Sequence, residues 1–434
     1  MQHFPSKSSI NTHSAAKTFV AIVLALLVCA NLALNRGLAN NGNNAQRRPK
    51  TAPSTKEVDD RLTAATSKFT FKLYGQLLKK RTNENTFVSP TSVMMALAMT
   101  YNGADGETRE AMARTLGIET MSLEEVNRAF ADLKSALAST DPQIQTKIAN
   151  SLWARKGLVM KPAFIERNKQ HYGAEVANLN FGDPAAAKTI NAWVDKNTEG
   201  KISKIVDAIS PDAVLFLINA IYFKGQWQIE FKKENTKPDM FRLAGGERKE
   251  VSMMSRSGSF FYYKGKNFQS LALPYGKGSV SMYVFLPDEQ TTLDQFEQDL
   301  TPENWDLWMK SFGLNPGDLM LPRFKVEWES ELNDALKALG MAEAFDPNRA
   351  NLSEIAKTNA GNNLYISHVK HKTWAEVNEE GTKAAAVTAV GVFTDAATRP
   401  IEKFVMKVDR PFFFAIRDHQ TGVVLFMGSI TNPG

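Results

Sequence analysis

The chain of 434 residues contains a single cysteine, Cys29, so no disulfide bond can join two parts of it. A zinc site built from several cysteines is excluded for the same reason. The fold must therefore be held together by packing of apolar side chains. With 43% hydrophobic and 23% charged residues, the composition is that of an ordinary globular protein. It excludes collagen-like, low-complexity and wholly disordered chains.

Residues 1–39 have the pattern of a secretory signal peptide. Lys7 and Lys17 precede an apolar run from Phe19 to Ala30, and small and polar residues follow it. A basic start, a short apolar centre and a small-residue exit are typical of such signals. Because the run is shorter than the ~20 residues of a membrane-spanning helix, cleavage is favoured, with an uncleaved membrane anchor as the alternative.

The net charge does not indicate a nucleic-acid partner. Removal of residues 1–39 takes away three basic residues and no acidic one, which reduces the formal charge from +6 to +3. Nucleic-acid-binding proteins carry a clustered basic surface, and a nearly neutral chain gives no sign of one. We therefore expect no nucleic-acid partner.

The rest of the chain divides into a short linker and one long region. Residues 40–55 are rich in Asn, Pro, Gln and basic residues, which is typical of a flexible linker. No proline- or glycine-rich segment and no repeat of fixed period divides residues 56–434. The sequence predicts that this region forms one large domain.

Periodic apolar residues and capping residues predict several helices. Apolar side chains recur at intervals of three and four from Val58 to Leu77, as on one face of an α-helix. Elsewhere, Asp, Pro and Gly residues supply start and stop signals. The predicted helices cover residues 58–77, 90–101, 105–117, 183–200 and 332–340.

Other segments have the composition of β-strands. Val214–Phe223 is almost continuously apolar, as expected of a strand buried on both faces. Ser279–Leu286 is rich in β-branched and aromatic residues, and residues 404–416 and 422–430 bracket a turn, which predicts a terminal hairpin. Together with the helices, these strands predict a mixed α/β (α+β) fold.

Motifs for catalysis are absent from the sequence. There is no Gly-x-Ser-x-Gly, His-Glu-x-x-His or Walker-type phosphate loop. His368 and His371 are three apart on a predicted strand, so they would lie on opposite faces and could not easily share a metal. We expect a protein that is not an enzyme and that needs no cofactor and no metal.

Residues 379–399 form the most unusual segment of the chain. It has no charge between Lys383 and Asp395 and no proline before Pro400. Alternate positions carry small or β-branched side chains: Thr382, Ala384, Ala386, Thr388, Val390 and Val392. A strand that enters the middle of a sheet needs such a face, because a charge or a proline would block burial or ladder hydrogen bonds. An ordinary buried strand or an alanine-rich helix would also fit.

This segment resembles the hinge and reactive loop of the serpins. Further segments similar to that family follow in the family's order: Asn85–Ser92, Asn219–Trp227, Leu271–Tyr275, Leu321–Phe324, Val408–Phe414 and Gly422–Gly428. The resemblance covers about residues 56–434 and leaves the N-terminal extension outside. It implies a serpin fold, with one large domain of three β-sheets, about nine helices and an exposed reactive loop.

The resemblance also implies a function. A serpin offers its loop as bait to a protease, forms an acyl-enzyme with it and then inserts the cleaved loop into its central sheet. The native fold is then a kinetically trapped state. The implied partner is a target protease, of serine or cysteine type, and the chain is expected to be a monomer.

Single residues take roles from the resemblance. The hinge comprises Glu379, Gly381, Thr382, Ala384, Ala385 and Ala386. The buried polar cluster where the sheet opens comprises Ser89, Ser92, Asn219 and His371. Trp227 and Arg323 are expected at the top of the opening, with Arg323 paired to Glu379.

The resemblance also implies where the scissile bond lies. The usual serpin spacing places it at Asp395–Ala396, which would suit a glutamyl-type serine protease or a caspase-like cysteine protease. Phe393–Thr394 would suit chymotrypsin- or subtilisin-like enzymes instead. Arg399 would suit trypsin-like enzymes, although Pro400 would impede cleavage after it.

Two other functions remain possible from the sequence. The chain could be a non-inhibitory serpin that acts as a binding or chaperone module, or an unrelated secreted enzyme. The uncharged hinge without proline favours an inhibitor over a non-inhibitory serpin, because bulky or charged hinges would forbid insertion. The absence of catalytic motifs argues against an enzyme.

Overall fold

A computed structural model describes residues 58–81, 83–138, 141–357, 363–381 and 402–434. All of these lie in one compact unit, which comprises residues 55–434. The predicted signal segment and the whole linker lie outside the described residues, as does the loop segment 382–401. Among the described residues, no helix is long and apolar enough to cross a membrane.

Nine α-helices occur within the described residues. They are α1 Asp60–Leu78, α2 Pro90–Tyr101, α3 Gly106–Leu116, α4 Leu123–Leu137, α5 Pro162–Tyr172, α6 Ala185–Asn197, α7 Leu293–Gln298, α8 Pro302–Ser311 and α9 Asn333–Leu336. The prediction for α2 is confirmed to the residue. Pro90 suits the first turn of a helix, where a backbone N–H would have no partner within the helix. Gly117 ends α3 with a φ of 70°, as its position in the sequence predicted.

The same part of the chain contains sixteen β-strands. They are β1 Thr86–Val88, β2 Ile144–Arg155, β3 Val159–Met160, β4 Glu175–Leu179, β5 Leu215–Gly225, β6 Lys237–Arg242, β7 Arg248–Lys264, β8 Phe268–Tyr275, β9 Val280–Pro287, β10 Gly313–Pro322, β11 Phe324–Glu331, β12 Ala356–Lys357, β13 Ile366–Val377, β14 Phe404–Lys407, β15 Phe412–Asp418 and β16 Val424–Ile430. They form three sheets, so the predicted mixed fold is confirmed.

The five-stranded sheet has the order β11-β13-β5-β2-β4. Its central strand β5 is buried along almost its whole length, and it pairs antiparallel with β2 and parallel with β13. Helix α6 covers the outer face of this sheet, where Ile190 and Val194 pack in one cluster with Phe216 and Tyr222. The unbroken apolar run of β5 is therefore explained by burial on both faces.

The nine-stranded sheet has the order β1-β16-β15-β9-β8-β7-β10-β14, with β6 paired to β7. The main core gathers side chains from both large sheets and from α1 and α2. In it, the ring of Phe87 stacks on Phe414 and Phe426, with centroids 5.4 and 5.1 Å away. Strands β12 and β3 form the third, two-stranded sheet.

The predicted terminal hairpin is only partly right. Strands β15 and β16 do form an antiparallel pair, but residues 404–416 are not one strand. Strand β14 ends at Lys407 and pairs parallel with β10, and Pro411, which cannot donate to a ladder, precedes β15. The ring of Phe404 stacks on Tyr262, with centroids 4.0 Å apart, and fixes β14 to this sheet.

The helix predicted at residues 332–340 is shorter than expected. Regular α-helix ends at Leu336, and residues 337–341 form a wider turn. Gly340, which was predicted to end the helix, has a φ of 116° and does interrupt it.

Candidate functional site

Strands β5 and β13 separate at one end of the five-stranded sheet. Their parallel pairing runs from Leu215–Ile366 to Tyr222–Trp374. Beyond these last partners β5 continues to Gly225 and β13 to Val377, without further pairing between them. A gap between two parallel neighbours is thus present at their carboxyl ends.

The chain that leaves β13 turns back into this gap. Gly381 forms an antiparallel bridge with Gln226, and the Trp227 N–H donates to the Glu380 carbonyl at 3.1 Å. The Asn378 N–H donates to the carbonyl of Gly381 at 3.0 Å and closes the turn. Gly381 therefore lies between the segments that follow β5 and β13.

Gly381 occupies a position that other residues cannot take. Its φ is +105°, in the region that side chains rarely adopt. An added Cβ would lie 2.3 Å from the Gly225 carbonyl oxygen and 2.6 Å from the Trp227 nitrogen, and both of these atoms belong to the backbone. The turn into the gap therefore requires glycine.

We expect Gly381→Ala to destabilise the protein by roughly 3 kcal/mol, through the left-handed φ and the backbone collision together. Urea unfolding followed by fluorescence measures the change. Gly245→Ala is the matched control, because Gly245 has no positive φ and nothing within 4 Å of the added Cβ. Equal midpoints for the two variants would show that the turn at Gly381 is not part of the native state.

Glu379 is tied to the sheet beside this turn. It is only 2% exposed, and the Arg323 Nε lies 2.8 Å from each carboxylate oxygen. The hydroxyl of Thr236 also donates to this carboxylate. Burial alone would raise the pKa of Glu379, but the hydrogen bonds from Arg323 and Thr236 outweigh it and hold the pKa below its usual value. The carboxylate is therefore charged and fixed in place, and its partner is Arg323, with which the resemblance had paired it.

Trp227 covers the mouth of the gap. It is 3% exposed and stacks on Tyr275, with ring centroids 4.4 Å apart and an angle of 13° between the planes. Its indole N–H donates to the Asn378 carbonyl at 2.9 Å, so the ring also holds the turn after β13. Trp227 thus packs against Tyr275 and also supports the turn after β13.

A second group of polar side chains lies further along the same two strands. Ser89, Ser92, Asn219 and His371 are all at most 1% exposed. His371 and Asn219 are register partners on β13 and β5, and the Ser89 N–H donates to His371 Nε2 at 3.1 Å. Asn219 Nδ2 donates to the Ser92 carbonyl at 3.2 Å. The cluster thus joins the two parting strands to the start of α2.

His371 is neutral in this setting. Burial lowers the pKa of His371 to about 3, although its contact with the Asn219 carbonyl opposes the shift. Since Nε2 accepts from Ser89, the proton lies on Nδ1, which is 3.3 Å from the Asn219 oxygen. A protonated ring would lose the Ser89 hydrogen bond and bury a charge.

We expect the protein to lose stability in mild acid because of His371. Between pH 6.5 and about 3, the unfolded chain binds a proton at this residue that the folded chain does not bind. Stability therefore falls as the pH falls, by about 1.4 kcal/mol per pH unit, or about 2 kcal/mol at pH 5. Urea unfolding of the wild type and of His371→Gln at pH 7 and pH 5 tests this. A stability gap between them that does not change with pH would contradict it.

Several residues of the site were missed from the sequence. Thr236 and Asn378 bind Glu379 and Trp227, and Asn150 accepts a hydrogen bond from Asn219 across the β2–β5 pairing. The strand register, which places Asn150 opposite Asn219, could have indicated Asn150, whereas Thr236 and Asn378 carry no signal in the sequence.

The remaining predicted site residues lie outside the described residues. They are Thr382, Ala384, Ala385 and Ala386 of the hinge, and Phe393, Thr394, Asp395, Ala396 and Arg399 around the scissile bond. In the described part of the chain, no group of three or more His, Cys, Asp or Glu side chains could hold a metal ion.

Comparison with known proteins identifies the class. The model of the family described as "Serpin (serine protease inhibitor)" matches residues 64–433, and the chain belongs to this family. The leukocyte elastase inhibitor A of Rattus norvegicus is 36% identical over 386 residues, which cover 86% of this chain and 100% of that protein. The glia-derived nexin of Mus musculus is 34% identical and covers 83% of this chain and 91% of its own length.

Solved structures agree with this assignment. The native state of tengpin, a thermophilic serpin, matches with a TM-score of 0.79 and 33% identity, over 87% of this chain and 95% of its own. Thyroxine-binding globulin in complex with thyroxine matches with a TM-score of 0.77 and 25% identity, over 86% and 99%. The family description and the name of the leukocyte elastase inhibitor both refer to protease inhibition.

Proposed function

We propose that this protein is a secreted inhibitor of endopeptidases that acts as a suicide substrate. The observation that supports this most is the gap between β5 and β13, into which the chain after β13 already turns. Membership of the family of protease inhibitors adds to it. The partner is a serine protease, or a cysteine protease with an acid-accepting pocket, and no cofactor takes part.

The reaction begins as ordinary proteolysis. The protease nucleophile attacks the carbonyl carbon of Asp395, and the bond to Ala396 breaks. The amine of Ala396 leaves with the proton that the nucleophile gave up. The carbonyl of Asp395 is then esterified or thioesterified to the enzyme. Phe393–Thr394 is the alternative bond, and Arg399 the third candidate.

The geometry of the sheet supports insertion. A strand that runs back from Gly381 between β5 and β13 is antiparallel to both, since these two strands are parallel to each other. One parallel pairing is replaced by two antiparallel ones, which are more stable per residue. The hinge residues Thr382, Ala384, Ala385 and Ala386 supply small side chains for the start of this strand. The attached protease moves with the loop and is distorted before the ester is hydrolysed.

The sheet-opening roles are part of the same proposal. The Arg323–Glu379 pair and Trp227 hold the mouth closed around Gly381, and the cluster of Ser89, Ser92, Asn219 and His371 lies where the strands must part. Their hydrogen bonds cross from β13 and β5 to α2, so they must be exchanged when a new strand enters.

Secretion is proposed from the N-terminal sequence. Residues 1–39 are the signal peptide, or a membrane anchor if uncleaved, residues 40–55 are the linker, and residues 56–434 are the inhibitory domain. The match of the family model begins only at residue 64, which supports an N-terminal extension separate from this domain.

A protease panel tests the function. Residues 40–434 are incubated with trypsin, chymotrypsin, subtilisin, a glutamyl endopeptidase and a caspase, and the products are separated on denaturing gels. We expect a covalent complex that survives the denaturant, with a small C-terminal fragment that begins at Ala396. If every protease that cleaves the loop keeps its full activity and forms no complex, inhibition is excluded.

A binding function is the alternative. Thyroxine-binding globulin, which has a similar fold, is bound to thyroxine in its solved structure, so a fold of this kind can also serve as a carrier. The panel separates the two functions, since a carrier would be cleaved without forming a complex.

A further inference from the structure

Arg256 of β7 is a partly buried cation on the inner face of the nine-stranded sheet. Its direct antiparallel partner is Leu319 of β10, which is fully buried, and the side chains of such partners lie on the same face. Within the described residues, no carboxylate forms an ion pair with its guanidinium, and burial lowers the pKa of Arg256 to about 10. Since a cation in such a place is normally paired with an acid, Arg256 must be held by other contacts.

The contacts of Arg256 tie two parts of the chain together. Its guanidinium donates to the carbonyl of Ile229. The guanidinium carbon lies 5.3 Å from the ring centre of Phe231 and 4.6 Å from that of Phe260, where the ring faces attract a cation. Phe260 is on the same strand as Arg256, whereas Ile229 and Phe231 belong to the connection between β5 and β6. Arg256 therefore fastens this connection to β7.

Phe231 links Arg256 to the mouth of the gap between β5 and β13. The Phe231 N–H donates to the Glu379 carbonyl at 3.0 Å. Its ring packs on Trp227, with centroids 6.4 Å apart and an angle of 68° between the planes. The Trp227 N–H donates in turn to the Glu380 carbonyl. The contacts that start at Arg256 thus end at the backbone of the turn after β13.

We infer that Arg256 is a positioning residue for the mouth of the gap. It acts through Phe231: the guanidinium fixes the connection after β5, and this connection aligns the backbone of Glu379 so that Gly381 meets Gln226 in register. The inference deepens the proposed inhibitory function, and its kinetic part rests on that function. It assigns a role to a side chain that lies outside the gap itself.

Loss of this alignment is expected to slow the entry of the loop. After acylation, insertion competes with hydrolysis of the acyl-enzyme, which is carried out by the protease alone. Slower insertion therefore leaves more of the acyl-enzyme to hydrolysis. The ratio of cleaved inhibitor to covalent complex reports this competition.

Hydrogen exchange of the intact protein tests the positioning directly. We expect Arg256→Gln, which removes the charge, to speed exchange of the Trp227 and Phe231 amides by about tenfold, while the amides of the β8–β9 ladder keep their rates. Arg256→Lys returns a cation to the two rings and should recover most of the protection. Arg248→Gln is the matched control, since Arg248 lies on the same strand and is exposed.

A second measurement uses the panel protease that the wild type traps. We expect Arg256→Gln to raise the ratio of cleaved inhibitor to covalent complex by about tenfold, with Arg256→Lys close to the wild type. Arg248→Gln should leave the ratio unchanged.

Each outcome separates positioning from a general loss of stability. Faster exchange confined to the mouth, with rescue by lysine and a raised ratio, supports the inference. Unchanged exchange, an equal rise in the β8–β9 ladder, failure of the rescue or an unchanged ratio overturns it and leaves the inhibitory function standing. If no panel protease forms a complex with the wild type, the inhibitory function fails, and the exchange rates still decide whether Arg256 positions the mouth.

Discussion

Thr382→Arg is expected to turn the inhibitor into a substrate. Thr382 follows Gly381, which already bridges Gln226, so it is the first residue to enter the gap between β5 and β13. A guanidinium there must be buried without a partner or must hold the loop outside, and burial of an unpaired charge costs several kcal/mol. Each 1.4 kcal/mol added to the activation barrier of insertion slows insertion tenfold relative to hydrolysis of the acyl-enzyme. Covalent complex should therefore become a minor product on a denaturing gel, with nearly all of the loop cleaved.

Two control variants make this result specific. Lys383→Arg places the same guanidinium one residue later, on the opposite face of the new strand, and should leave complex formation unchanged. Thr382→Ser keeps a small hydroxyl side chain at the entry position and should also inhibit normally. If Thr382→Arg trapped protease as well as these two, insertion from Gly381 could not be the mechanism.

Cleavage of the loop should raise the melting temperature by about 20 °C. A new strand of about ten residues forms about twenty hydrogen bonds and replaces the roughly ten of the β5–β13 pairing, so about ten are gained, each worth about 1 kcal/mol in net stability. That gives of the order of 10 kcal/mol, and each kcal/mol corresponds to about 2 °C for a domain of this size. Circular dichroism of the protein before and after a single cut in residues 390–399 measures the change.

The opposite result is equally clear. A cut in a loop that stays outside the sheet gives the chain two free ends and no new pairing, so the melting temperature would stay the same or fall. Intact protein carried through the same incubation without protease is the control. An unchanged melting temperature after cleavage would show that the native fold is not a trapped state.

Local signals in the sequence were sufficient for elements whose structure is decided locally. Helix α2 begins at Pro90, as its first-turn proline predicted. Strand β5 coincides with its apolar run, because burial on both faces requires apolar side chains at successive positions. The break between β14 and β15 was missed, since β14 is defined by parallel pairing with β10, which is distant in the chain. Periodicity carries no information about such a partner.

The site shows the same limit. The resemblance to the serpins indicated that Arg323 and Glu379 would meet, and they do. Thr236, which completes the carboxylate's hydrogen bonds, carries no motif and reaches Glu379 only through the tertiary fold. The positive φ of Gly381 was also not visible, because it belongs to a turn that bridges Gln226, which is distant in the chain.

The two ends of the reactive loop are fastened to different sheets. One end is held by Gly381 at the mouth of the five-stranded sheet, and the other by β14, with Phe404 stacked on Tyr262, in the nine-stranded sheet. An uncut loop therefore cannot enter the gap far without pulling β14 away from β10. In the proposed mechanism, the ladder between β14 and β10 therefore prevents insertion of the uncut loop. Cleavage by the protease would remove this restraint in the same step that attaches the protease to the inserting segment.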